Sequence, residues 1–200
     1  KDRLPRERIQ ELEDKTDHYE DIIGTYLIKL SRNQISDADS AMVSKLLKLI
    51  GDYERIADHS VNVLESAEEL REKGIEFSAE ARKEIEAMCS ATREILELSR
   101  SAFIDGDLKA AYHIEPLEQV IDVLKEHLRN QHILRLKDGT CTVEAGFIWA
   151  DLLTDLERVA DHCSNIAACV IDTAHNNMNL HQSVREMKEG TDFETLYGIY

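Results

Sequence analysis

The chain has 200 residues, 40 acidic against 24 basic, for a formal net charge of −16. That imbalance repels a phosphate backbone and an anionic lipid surface alike, which argues against nucleic acid as a partner and in favour of cations. Its apolar runs are only a few residues long, far short of the roughly 20 that span a bilayer. Two prolines and eight glycines among abundant Leu, Glu, Ala, Lys and Ile indicate helix nearly throughout.

The chain starts Lys1, Asp2, Arg3 without Met, and its basic opening (Lys1, Arg3, Arg6, Arg8) reads as a linker from a longer polypeptide rather than a secretory signal. A first helix is expected from Arg6 to Leu30, then a turn over 31–37 in which Ser36 or Asp37 serves as N-cap. A second helix runs from Ala38 to Arg71. Lys73 and Gly74 end it, and Ser78 caps a third helix from Ala79 to Phe103. Asp105, Gly106 and Asp107 break the pattern. A fourth helix occupies Leu108 to Leu136, with a bend or a restart near Glu115 because Pro116 removes a hydrogen bond and clashes with the preceding turn. After a turn at 137–142, a fifth helix spans Val143 to His175, Leu180 to Lys188 form a short sixth, and the tail has no clear period.

Cys89, Cys141, Cys163 and Cys169 show no Cys-x-x-Cys pairing, so neither a zinc ribbon nor a disulfide framework is indicated, and a reducing compartment fits. Cys163 and Cys169 read as small packing residues of the fifth helix.

The second and fifth helices carry one phrase twice. Asp52, Glu54, Arg55, Ala57, Asp58, His59 and Asn62 recur as Asp155, Glu157, Arg158, Ala160, Asp161, His162 and Asn165, seven of eleven positions at a constant offset of 103. Repetition driven by a core preserves apolar residues and lets charges drift. Here the apolar positions vary (Ile56 to Val159, Val61 to Ser164) while the acids stay, so the repeated element is a polar site.

Residues seven apart on a helix differ in direction by only about 20°, which places Glu54 within the apolar stripe of Val43, Leu47, Ile50, Ala57, Val61 and Leu64. An unpaired carboxylate there is costly, so it must meet a cation, a donor or a metal. Asp58 borders the same stripe. In the second copy Ala150 and Ser164 flank Glu157 and leave room for a hydrated ion. A hard cation takes about six oxygen ligands, so a neighbouring helix must add acids: the first helix offers Glu13, Asp17 and Glu20, the fourth Glu118 and Asp122, with Glu115 and Glu126 nearby. Two explanations stand side by side. The acids hold metal ions, or Arg55 and Arg158 neutralise them in ion pairs that tie helices together. His59 and His162 turn away from the Glu54 face and are expected at the surface or between bundles, and the other histidines show no ligand spacing.

The duplicated Glu54-x-x-x-Asp58-His59 and Glu157-x-x-x-Asp161-His162, with Asn165 following, resemble the repeated acidic motif of the PhoU family. The stretch from His132 through Arg135 and Gly139 to Cys141 is similar to the PhoU-like domain that follows the membrane part of bacterial sodium/phosphate cotransporters. The resemblance covers roughly residues 9–175. It implies an all-α fold of two tandem antiparallel three-helix bundles, the second with a short last helix: residues 1–105, then 106–190, then a tail at 191–200. It also implies divalent or iron ions on Glu54, Asp58, Glu157 and Asp161, with Asp17, Glu20, Glu118 and Asp122 at matching positions. Lys125 stands where the first copy has Glu20, which implies fewer ions in the second copy.

The function expected from this is a non-catalytic regulatory domain of phosphate uptake at the cytoplasmic face of the plasma membrane. Its expected partners are the membrane part of the same polypeptide, a sodium-dependent phosphate cotransporter, and further copies of itself. The alternative is a freestanding PhoU-type regulator of a phosphate ABC transporter and its sensor kinase. A di-iron carboxylate enzyme is a remote third reading, since it needs Glu-x-x-His on two helices. No Glu-x-x-His occurs, and Asp172-x-x-His175 is the nearest sequence. No phosphate loop or nucleophile elbow is present either.

Overall fold

The computed structural model describes residues 3–175 and 197–199. It contains five long helices: α1 (Arg3–Ser31), α2 (Asp37–Glu72), α3 (Ala79–Ile104), α4 (Leu108–Lys137) and α5 (Val143–Ala174). The expected boundaries agree to within a few residues, because the stop signals are chemical. The Ser36 side chain accepts from the Asp39 N–H, Ser78 from Ala81, Asp107 from Lys109 and Ala110, and Thr142 from Ala145, each satisfying donors that a helix start leaves open. Gly74 and Gly139 leave α2 and α4 at φ of 63° and 67°, a conformation that side chains with a Cβ resist. The expected sixth helix at 180–188 lies outside the described residues.

Pro116 does not interrupt α4, which is helical from end to end with Pro116 buried. Burial of the ring helps offset the missing hydrogen bond.

Packing follows apolarity. Helix α5 lies against α2, α3 and α4, while α1 packs on α2 and α3 packs on α4. The main core therefore joins α3, α4 and α5, with Met88 and Ile95 meeting Ile114, Ile121 and Leu128 from α4 and Trp149, Leu153 and Cys163 from α5. A helix in contact with three others must be apolar nearly all round, and α5 is the most heavily buried of the five. A smaller cluster of Leu49, Ile166 and Cys169 fastens α2 to α5. The third helix thus leaves the first repeat to complete a bundle with the helices of the second, and its link to α2 runs through side chains such as Tyr53 and Phe103, whose rings are 5.4 Å apart. No helix of the described residues is long and apolar enough to cross a membrane.

Candidate functional site

The two copies of the repeated phrase meet where α2 lies along α5, and their polar residues bind each other reciprocally. His59 Nδ1 is 2.8 Å from Asp155 Oδ1, to which Asn62 also donates at 3.1 Å. In the mirror arrangement His162 Nδ1 is 2.9 Å from Asp52 Oδ1, to which Asn165 donates at 3.1 Å. The imidazoles of His59 and His162 stack between the two pairs, centroids 5.7 Å apart. Three of the seven duplicated identities (Asp, His, Asn) are consumed in this interface. The histidines lie between helices, and the roles of Asp52 and Asp155 went unread in the sequence, although their constancy in the repeat was the signal.

Glu54 and Asp58 point the other way, toward α1. Burial first, then the charge of Asp58 on the same helix, push the Glu54 carboxyl above its ordinary value, and Glu20 of α1 adds to the push while Arg55 opposes it. Glu13 is raised likewise, by burial and by Asp14, with Asp58 contributing from across the interface. The first copy therefore gathers Glu13, Glu20, Glu54 and Asp58 along one antiparallel seam, with Asp17 exposed beside Glu13. Arg55 lies 3.5 Å from Glu54 and 3.9 Å from Asp58 with its side chain 63% exposed, a screened contact of little energetic weight.

The second copy is built differently. Lys125 of α4 occupies the place of Glu20, and its Nζ lies 2.9 Å from Glu157 Oε2, both side chains largely buried. Arg158 takes Asp161 at 2.9 Å within its own helix. The space expected beside Ser164 is used: its hydroxyl donates to the buried Glu115. Glu118 accepts from Gln119 at 2.9 Å, and Asp122 is exposed. Within the second copy the cation that reaches the repeated acid from a neighbouring helix is Lys125, and both arginines of the repeat bind along their own helices instead. Among the described residues no three His, Cys, Asp or Glu side chains converge closely enough to hold a metal ion as they stand. The residues of the first copy nevertheless fit one chemically, since their like charges face one another beside the exposed Arg55, whereas in the second copy the buried Lys125 supplies the opposing charge.

The PhoU domain pattern matches residues 1–67 and 85–170. The chain is 31% identical over 149 residues to the phosphate-specific transport system accessory protein PhoU homolog 1 of Thermotoga maritima, covering 74% of this chain and 63% of that protein, so it spans less than two thirds of that relative's length. It is 22% identical over 176 residues to YjbB of Salmonella typhimurium, whose name assigns it provisionally to inorganic phosphate export, covering 84% of this chain but 32% of that protein. The crystal structure of PhoU from Pseudomonas aeruginosa shares the fold, with a TM-score of 0.75 at 24% identity over 86% of this chain and 82% of that one. The chain belongs to the PhoU domain family.

Proposed function

We propose that this member of the PhoU family is a non-catalytic accessory regulator of a phosphate transport system, acting at the cytoplasmic face of the membrane. The observation that carries the reading is the matched family pattern over both copies of the acidic phrase, together with a relative named for a phosphate-specific transport system. The partner is then an ABC-type phosphate transporter and its signalling apparatus. Expressing the chain in a bacterium deleted for its own PhoU-type regulator is expected to restore restraint on phosphate uptake. Uptake and reporter output unchanged from the deletion strain would overturn the reading.

The acidic seam between α1 and α2 is the part we assign to ions. Glu54 and Asp58, with Glu20, Glu13 and Asp17 across the seam, offer hard oxygen donors suited to divalent or iron ions. The second copy binds weaker or not at all, because Lys125 occupies Glu157. Metal analysis after equilibration with Mn²⁺ or Fe²⁺ tests this: the Glu54→Ala/Asp58→Ala variant is expected to lose metal relative to the parent, and equal content would refute the assignment.

A second reading has its own support. YjbB matches this chain over only a third of its length, as expected if the same module is attached to a membrane transporter. The coding sequence upstream of Lys1 distinguishes the two: a run of transmembrane helices there favours the attached form and excludes the freestanding one.

A further inference from the structure

The two flanks of the stacked His59 and His162 rings carry different residues. On one flank, α2 and α5 line a cavity of about 360 Å³. Glu65 and Glu69 of α2 contribute to its wall, one helical turn or about 6 Å apart, and Asp151 and Asp155 of α5 repeat that spacing from the other helix. On the other flank the offset of 103 puts Asp172 in place of Glu69, Ala168 in place of Glu65 and Lys48 in place of Asp151. There Asp172 is fully buried and ion-paired with the ammonium of Lys45. One flank thus carries lysines of the chain, and the other carries four carboxylates with no lysine or arginine in its lining.

The wall of this cavity is made of acceptors. Ser66 lines it at 8% exposure, and among the described residues no hydrogen bond engages its hydroxyl, although a buried hydroxyl ordinarily has a partner. Thr154 donates its hydroxyl hydrogen to the Ala150 carbonyl at 2.8 Å, which leaves only lone pairs for a ligand. Asp155 receives His59 and Asn62 both on Oδ1 and keeps Oδ2. Lys73 holds Glu69 Oε1 at 2.7 Å and Glu144 at 2.9 Å without lining the cavity. Glu65 and Asp151 are exposed, so solutes can enter.

We propose that this cavity binds a short aliphatic diamine, whose ammonium groups take the place that Lys45 fills on the other flank. A ligand made of donors matches a wall made of acceptors, and two charges on one chain match acids set in pairs a turn apart. A bare metal ion does not fit: among the described residues these carboxylates do not converge on one point, and the volume is many times the share of a single water, about 30 Å³.

Calorimetric titration of the folded chain with 1,4-diaminobutane, at physiological salt and with a chelator present, tests this. One saturable site is expected, since salt screens attraction to a merely acidic surface. Asp151→Lys puts an ammonium where the other flank has Lys48 and is expected to weaken the site about tenfold or more. Glu65→Gln and Ser66→Ala should each weaken it about fivefold. The exposed pair Glu97→Gln/Glu126→Gln changes the net charge as much as Asp151→Lys does, away from the cavity, and should shift affinity by less than about twofold. Absence of saturable binding in the parent would overturn the proposal, and so would a loss in the Glu97/Glu126 control equal to that of Asp151→Lys. Magnesium ion that displaces the diamine at equal concentration, once the chelator is omitted, would assign the cavity to a hydrated metal and overturn it too. If thermal melting shows Asp151→Lys to be unfolded, Glu65→Gln decides by the same comparison with the control.

Discussion

His59 and Asp155, one from each copy of the repeat and 96 residues apart in sequence, share a 2.8 Å contact that Asp52 and His162 reproduce in mirror image. Each carboxylate also takes an asparagine amide, so removing it strands two donors at once in a part-buried seam. Asp155→Ala is expected to lower unfolding free energy by about 1–3 kcal/mol. Urea unfolding checks this, and a double-mutant cycle with His59→Ala should show coupling of about 0.5 kcal/mol or more. Additive losses would mean that the pair shares no energy.

Lys125 makes the two copies unequal, and one substitution should make them alike. Lys125→Glu leaves Glu157 buried beside another acid, which is expected to cost about 3 kcal/mol without added metal. If the seam design is what we propose, millimolar Mn²⁺ restores much of that loss and raises bound metal above the parent. Lys125→Met should be destabilised without such rescue.

Acid should relax the first seam. Glu54 is raised by burial and by Asp58, and Glu13 by burial and by Asp14, so the native state holds protons that the unfolded chain has released. Their contribution is fully present below the unfolded carboxyl value of 4.5 and is lost as pH rises through their higher folded values. The difference in stability between Glu54→Gln and the parent, measured without metal, should therefore widen in the variant's favour from pH 4 to 7. A difference that stays flat would show that Glu54 feels no repulsion.

Gly146→Ala tests how tightly His132 is held. The new methyl would meet Nε2 at 2.4 Å, and overpacking of this kind costs about 1–3 kcal/mol. Removing the ring as well, in Gly146→Ala/His132→Ala, should make the glycine substitution nearly neutral. An equal cost in both backgrounds would place the strain elsewhere.

Local signals were readable where the chemistry is local. Ser36, Ser78 and Thr142 cap helices through their own hydroxyls, and the glycines at 74 and 139 stop helices by backbone freedom alone. Pro116 does not restart the helix near Glu115 for the complementary reason: its local cost is real, but its burial depends on the fold around it. At the site, heptad arithmetic correctly aimed Glu54 at a neighbouring helix. It could not show that Ser164 would be claimed by Glu115, or that α3 would pack on α4 and α5 instead of beside α2.

The sequence by itself determined an all-helical chain, two copies of one polar phrase, and a negative charge that turns the molecule toward cations, because periodicity, capping and net charge are sums over near neighbours. Only the tertiary structure decided how the phrase is divided. Its Asp, His and Asn lock α2 to α5, its Glu54 and Asp58 face acids on α1, and its Glu157 forms an ion pair with Lys125. Those outcomes depend on which helix face meets which across a hundred residues of chain, and packing of the apolar surfaces, above all that of α5, selects those meetings.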